Sequence, residues 1–325
     1  MGDGTAAGGA GAQAGPGSVA AVDCGTNSTR LLVAGPDGAP LERLMTITRL
    51  GEGVDGARRL APAAIARTVD ALRRYRQVMD GLGVGRVRAV ATSAARDADN
   101  RDELFDAAEA VLGVRPELLT GDEEGTLSYA GATAGLDPSS GPYVVVDVGG
   151  GSTELVCPDD RGVPRARSVD VGCVRVTERF LAADPPAPEE LARAAAAARH
   201  AVGTAARSLA GLHRCRTMIG LAGTVSTAAM VDLGLDSYRR EAVHHHVLGR
   251  AAVAAICQRL ASLDRRARSA VAGIEPGRVD VIVGGLVVLA AAMDELGFDE
   301  CLVSESDILD GMVASLLGAA STLLK

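Results

Sequence analysis

The chain has 325 residues, 47% hydrophobic but only 2% aromatic, with no tryptophan and a net charge of −8 at pH 7. That length supplies core for one or two domains, while the acidic balance argues against a general nucleic-acid binder and the scarcity of rings against base-stacking platforms. Lys325 is the only lysine, which removes the Gly-Lys-Ser/Thr P-loop, protein-kinase chemistry and Schiff-base chemistry together.

In chain order, residues 1–17 are Gly/Ala-rich and read as a disordered tail. A strand, turn and strand follow over Ser18–Ala34, with a third strand over Leu41–Arg49 after the Pro36-Asp37-Gly38 turn. Ile65, Val69, Leu72 and Met79 recur at helical spacing, so Pro62–Asp80 is predicted as a helix. Arg86–Thr92 reads as a short buried strand, Asn100–Leu112 as a helix capped by Asn100, and Glu123–Ala134 as another helix. The second half repeats the logic: a hairpin at Tyr143–Val148 and Ser152–Cys157, a strand at Ala166–Val171, a helix at Pro188–Leu212 and a strand at Arg216–Leu221. Further helices are predicted near Gly249–Leu263, Pro276–Leu296 and Ser306–Leu323. The pattern predicts an α/β protein with one unit over 18–135, a second over 136–325 whose C-terminal helix can pack back on the first, and a cleft between them.

Cysteines 24, 157, 173, 215, 257 and 301 show no C-x-x-C spacing, which fits a reducing cytoplasm better than a disulfide or zinc framework. The first residues do not resemble a signal peptide, and the apolar run Val281–Met293 is too short to span a bilayer. A cytoplasmic protein without membrane or nucleic-acid partners is expected.

Two loops carry the chemistry. Asp23-Cys24-Gly25-Thr26-Asn27-Ser28-Thr29 and Asp147-Val148-Gly149-Gly150-Gly151-Ser152-Thr153 each follow an apolar run and precede another. Glycine lets backbone amides crowd around an anion, hydroxyls add donors, and an aspartate at a strand end can hold a metal ion or a water. Three consecutive glycines weaken any strand, so a phosphate-holding loop explains them better than a tight turn. Ala222-Gly223-Thr224 is a weaker third candidate of the same kind.

Several blocks at matching spacing resemble the exopolyphosphatase and guanosine pentaphosphate phosphohydrolase family. They are Asp23-x-Gly25-Thr26-Asn27-Ser28-x-Arg30, Arg49-Leu50-Gly51-Glu52-Gly53, Ala91-Thr92-Ser93-Ala94-x-Arg96-Asp97, Gly121-Asp122-Glu123-Glu124, Asp147-x-Gly149-Gly150-Gly151-Ser152-Thr153-Glu154 and Ser304-Glu305-x-Asp307. The resemblance implies two actin-like domains around a cleft. It implies release of terminal orthophosphate from inorganic polyphosphate, with Mg²⁺ (Mn²⁺ as an alternative) and often K⁺, and a homodimer. Glu124 then matches the general base, chosen over its neighbour Glu123, and Glu154 a second acid that holds the metal or orients the water. Asp147 and Asp23 become metal or water contacts and Arg96 a phosphate clamp. Gly25, Thr26, Asn27, Ser28, Gly149, Gly150, Gly151, Ser152 and Thr153 become phosphate-loop donors. Arg30 lies in a motif too, but alternation is read as turning it away from the cleft.

Two departures stand out: cysteine at position 24 in place of an aliphatic residue, read as a small hydrophobe under the loop, and the lack of the C-terminal HD-type region of longer members. The second leads to an expected preference for short chains. His244-His245-His246 is read as a solvated loop and Arg265-Arg266-Ala267-Arg268 as a solvated helix end. The alternatives to polyphosphate hydrolysis are guanosine pentaphosphate hydrolysis and a catalytically weak polyphosphate or alarmone sensor. A sugar or acetate kinase is a more distant option.

Overall fold

A computed structural model describes residues 17–318. The proposed N-terminal tail therefore lies, but for Gly17, outside the described residues, as does the end of the last predicted helix beyond 318. The first sheet is built from β1 (Val19–Cys24), β2 (Ser28–Ala34), β3 (Pro40–Ile47), β4 (Arg86–Ala91) and β5 (Glu117–Leu118), in the order β3-β2-β1-β4-β5. Hairpins make the first two pairings antiparallel, and helical crossovers make β1–β4 and β4–β5 parallel. The second sheet comprises β6 (Tyr143–Val148), β7 (Thr153–Pro158), β8 (Pro164–Val169), β9 (Thr217–Leu221), β10 (Val247–Gly249) and β11 (Glu300–Val303), ordered β8-β7-β6-β9-β11-β10. Apart from the extra antiparallel edge strand β10, its order and strand directions repeat those of the first sheet. The chain thus folds as two actin-like α/β domains.

Both central hairpins are covered on both faces, which is why β1 and β6 read as nearly continuous apolar runs. Ala20, Val22 and Cys24 pack with Leu72, Tyr75 and Leu104 on one face of the first sheet. Val19 and Ala21 meet Ile308, Leu309, Met312 and Val313 on the other. The covering helices are exchanged between the halves. Helix Gly121–Thr133 follows the first sheet yet lies on the second, with Gly125 against Val156 and Glu154. Helix Ile308–Leu316 follows the second sheet and packs on β1 and β2. The two helices cross at Gly131 and Gly311, where a Cβ would come within 1.9 Å of the Asp307 carbonyl and 2.2 Å of the Leu127 carbonyl, respectively. Only glycine permits that approach. Helix Ile282–Leu296 is buried on most faces, and among the described residues no helix is long and apolar enough to cross a membrane.

Two local expectations change. Asn100 does not cap its own helix; its amide side chain brackets Leu60, accepting from the backbone N–H at 2.8 Å and donating to the carbonyl at 3.1 Å. Arg268 is not solvated, because its guanidinium is buried against the carbonyls of Leu260, Leu263 and Val279.

Candidate active site

The two halves enclose a cleft of about 710 Å³, within the range that holds a drug-sized ligand (about 300–1,000 Å³). Its inner end is formed by the two hairpin turns, which touch each other. Cβ atoms at Gly150 and Gly151 would lie 2.7 Å from Thr26 Cβ and 2.4 Å from Ser93 Oγ, respectively. The glycines therefore do two things: they let the loops interlock, and they leave backbone donors at the cleft. Among the described residues, no hydrogen bond runs from the amides of Thr26, Asn27, Gly150, Gly151 or Ser152 to a protein acceptor. Such a cluster of free amides is suited to an anion.

Behind the Gly-rich loop sits Arg175, from helix Cys173–Phe180. Its Nε donates to the Gly151 carbonyl at 2.7 Å, and its two Nη groups engage Asp55 and Asp97 of the other half. The carbonyl is thereby drawn to the side away from the cleft. Nothing in the sequence pattern flagged Arg175, since its partners are distant in the chain.

Three buried acids, Asp23, Asp147 and Glu154, and the partly exposed Glu124 surround the inner end. Asp23 is opposite Arg30 in the β1–β2 ladder and accepts from Arg30 Nη2 at 2.6 Å and Nε at 3.0 Å, while its Oδ1 has no protein partner. Asp147 accepts from Ser128 Oγ at 2.9 Å. Burial pushes Asp147 up to about 6 against the pull of Arg30 and that hydroxyl, and it raises Asp23 as well. Glu154, 1% exposed, accepts from Ser168 Oγ at 2.7 Å. Burial holds it well above the usual carboxylate range, reinforced by the charges of Glu124 and Asp147.

Glu124 belongs to the first turn of helix Gly121–Thr133 and turns inward. Arg96 Nη1 donates to its Oε2 at 2.7 Å, and Arg96 Nη2 reaches Ser152 Oγ at 3.3 Å and stands 3.9 Å from Glu154. Burial raises Glu124 to about 7 although Arg96 opposes the shift. Glu123 has a different job. It accepts from the Thr120 N–H and hydroxyl at 2.8 Å in a capping box and is exposed. The geometry thus separates two adjacent glutamates that look alike in the sequence.

Of the residues singled out by sequence, Asp23, Gly25, Thr26, Asn27, Ser28, Glu124, Asp147, Gly149, Gly150, Gly151 and Ser152 line the cleft. Arg96 and Glu154 stand directly behind this wall. Thr153 does not reach the cleft: it is fully buried, and its hydroxyl donates to the Val171 carbonyl. Arg30 corrects the opposite way. It shares a strand face with Ser28, so alternation carries it into the cleft, where Nη1 also bonds Asp307 at 2.5 Å. Arg43, Arg240 and Arg278 line the cleft as well and were not anticipated. Thr224 lines the cleft as well, buried against Gly285. Cys24 packs in the core beneath its loop.

The three histidines do not form a bare solvated loop. His244 accepts from the Glu305 N–H at 3.1 Å, His245 stacks on it, and His246 pairs with Asp232 at 2.8 Å. Among the described residues, no three His, Cys, Asp or Glu side chains form a ready-made metal site.

Comparison with known proteins agrees with this geometry. The model of the Ppx/GppA phosphatase family matches residues 34–320. Exopolyphosphatase 2 of Mycobacterium tuberculosis is 44% identical over 317 residues, covering 92% of this chain and 98% of that protein. A guanosine-5′-triphosphate,3′-diphosphate pyrophosphatase of Aeromonas hydrophila is 28% identical, over 92% of this chain and 59% of its own length. The crystal structure of an exopolyphosphatase-like protein superposes with a TM-score of 0.86 at 37% identity, covering 93% of this chain and 99% of that one. The family model spans most of the chain and the mycobacterial relative nearly all of it, so the chain belongs to the Ppx/GppA phosphatase family.

Proposed function

We propose that the chain is a hydrolase of phosphoric anhydride bonds, an exopolyphosphatase that releases terminal orthophosphate from inorganic polyphosphate. The observation that carries this is the placement of Glu124: a carboxylate facing the cleft, raised to about 7, and tied through Arg96 to the Gly-rich loop. A base is most effective when its pKa lies near the working pH. The terminal phosphate is held by the free amides of both loops and by the Ser28 and Ser152 hydroxyls. Glu124 takes a proton from a water as its oxygen attacks the terminal phosphorus in line, and the bridging P–O bond breaks with its electrons passing to the shortened chain. Arg96 orients Glu124 and offers its fork to the phosphate oxygens.

A divalent cation fits the donor set. The available groups are all hard oxygens, Asp23 Oδ1 is buried without a partner, and carboxylates outnumber guanidinium groups along the cleft. Mg²⁺ uses one or two carboxylates and fills its remaining positions with phosphate and water. Asp147 and Asp23 would hold Mg²⁺ or Mn²⁺, which would neutralise phosphate charge during attack. Glu154 accepts from Ser168 through Oε1, while its Oε2, like Asp23 Oδ1, is buried without a partner and would be available to the cation or to the attacking water.

Guanosine pentaphosphate hydrolysis is the second reading, supported by the Aeromonas relative. Tyr238 is the only aromatic residue lining the cleft among the described residues, which offers little for a base to stack on and favours polyphosphate. Orthophosphate release from polyphosphate, guanosine pentaphosphate and ATP, compared between wild type and Glu124→Gln, tests both. The variant is expected to lose about 10²-fold or more in kcat. Retained activity would overturn the role of Glu124, and the preferred substrate of the wild type decides between the readings.

A further inference from the structure

The loop amides that lack a protein acceptor are not all held in the same way. In a trans peptide the C=O and the following N–H point in opposite directions, so whatever holds the carbonyl behind the loop aims the amide at the cleft. The Asn27 amide is set by the Thr26 carbonyl, which accepts from the Gly51 N–H at 2.8 Å. Those of Gly150 and Gly151 are set by the Gly149 and Gly150 carbonyls, which accept from the Cys173 and Val174 N–H groups at 2.9 and 2.8 Å. Backbone donors suffice in these three cases. The Ser152 amide differs: among the described residues the Gly151 carbonyl has no backbone donor, and it takes Arg175 Nε at 2.7 Å. Arg175 is 6% exposed and lies outside the cleft lining. Its Nη groups are held by Asp55, from helix Val54–Ala57, and Asp97, from helix Ser93–Asp97. The second of these helices also carries Arg96, the partner of Glu124. Glu178 and Arg179, further along the helix of Arg175, add bonds to the Gly53 N–H at 3.0 Å and to Asp55 at 2.6 Å.

We infer that Arg175 is a positioning residue that aims the Ser152 N–H at the terminal phosphate. Its guanidinium is anchored on the opposite half, so this donor is in place only while the two halves are joined behind the loops. The inference rests on the exopolyphosphatase reading, in which the loop amides hold the phosphate under attack. Donors fixed in advance matter most where charge develops in the transition state. Arginine suits the place because its planar fork reaches three acceptors at once. A lysine ammonium is a point charge that cannot span them, and two carboxylates outcompete a neutral carbonyl for it. Neither acid is stranded by that change, since Asp55 keeps Arg179 and Asp97 keeps Arg58 at 3.3 Å. Loss of aim is therefore separable from loss of fold.

The test compares wild type, Arg175→Lys, Asp55→Asn/Asp97→Asn and the triple variant as full chains, reading denaturation midpoint, and kcat and KM on polyphosphate. Arg175→Lys is expected to keep a midpoint close to that of wild type and to lose about tenfold to 10²-fold in kcat. The double asparagine variant keeps Arg175 and weakens only its anchor, so it carries the test independently of how the lysine variant folds. It should lose part of the same factor. Because both changes act on one hydrogen bond, the triple variant should be no slower than Arg175→Lys. Unchanged kcat in Arg175→Lys would overturn the positioning role. So would losses that multiply in the triple variant, as separate structural contributions do. Equilibrium binding of tripolyphosphate in the Glu124→Gln background reads the donor without turnover, and Arg175→Lys should raise that Kd about tenfold. The same rise, with a wild type that hydrolyses no polyphosphate, would leave the positioning role standing and overturn the hydrolase reading. Hydrolysis with kcat and Kd both unmoved by Arg175→Lys would do the reverse.

Discussion

The two central hairpins share topology, turn chemistry and the aspartate that ends the first strand, yet differ at one equivalent position. Asp23 faces Arg30 across its ladder; Asp147 faces Glu154 across the other. Opposite charges across a ladder stabilise it, and like charges oppose it. The first hairpin is thus electrostatically closed, with its guanidinium also bridging to Asp307 of the exchanged helix. The second gathers Asp147, Glu154 and Glu124 with Arg96 as the cation in contact, and burial raises all three acids. Uncompensated charge of this kind costs stability, and it collects where chemistry needs a proton acceptor or a cation. Both hairpins face the cleft, but only the second sets carboxylate against carboxylate across its ladder.

The sharpest break of this comparison is Arg30→Gln. It strands Asp23, whose side chain is 3% exposed, together with part of the charge on Asp307. Removing one partner of a buried pair costs about 3–5 kcal/mol, so a clear fall in denaturation midpoint is expected. A change below about 1 kcal/mol would show that Asp23 is neutralised without Arg30.

The matching change in the second hairpin should act with the opposite sign. Glu154→Gln keeps an acceptor for Ser168 and removes one member of a like-charge group, so melting temperature should rise while turnover falls. The pH dependence carries the same signature. The native pKa values of Glu124 and Asp147, about 7 and about 6, lie above ordinary values of 4.5 and 3.8, so between those limits the native state holds more protons than the unfolded chain. Wild-type stability should therefore decrease as pH rises from about 4 to about 7, and less so in Glu154→Gln. Melting curves across that range check both statements, and an identical slope in the two proteins would contradict the account.

Turnover should respond to pH in the other direction. Glu124 works as a base only when ionised, so kcat/KM is expected to rise through pH of about 7 and level above it. Arg96 favours the ionised form, and Arg96→Gln should therefore move that limb to higher pH while lowering the plateau. A limb that stays in place would separate the observed titration from Glu124.

How much of this was legible in the sequence depended on the range over which each feature is determined. The hairpins, the acids at their strand ends and the pairing of loop with helix start are local and followed from spacing. The triple glycine lines the cleft, and half of its reason, the approach of Thr26, is a contact between halves that no local pattern gives. Arg30 was misplaced because alternation along β2 gives parity but not which parity faces the cleft; the fold sets that by putting Ser28, and with it Arg30, on the cleft side. Arg43, Arg240, Arg278 and Arg175 converge from separate segments and have no shared local pattern. The return of helix Ile308–Leu316 to the first sheet matches the expectation for the C-terminal helix, whereas the passage of helix Gly121–Thr133 onto the second sheet depends on packing between the halves.

Glu123 and Glu124 give the finest test, with the smallest effect. Helix Gly121–Thr133 begins two residues before its sequence-predicted start, which makes Thr120-Gly121-Asp122-Glu123 a capping box and leaves Glu124 one position further round the helix, facing inward. The exposed Glu123 is held below the usual carboxylate range by the Thr120 backbone and hydroxyl donors, whereas burial carries Glu124 the other way. Glu123→Ala should cost about 0.5–2 kcal/mol of stability as a lost cap and leave kcat near the wild-type value. Equal losses of kcat in Glu123→Ala and Glu124→Gln would mean that the first turn as a whole, and not one carboxylate, prepares the water. Two charges one residue apart have different work because a helix turns about 100° per residue, enough to put one in solvent and the other against Arg96.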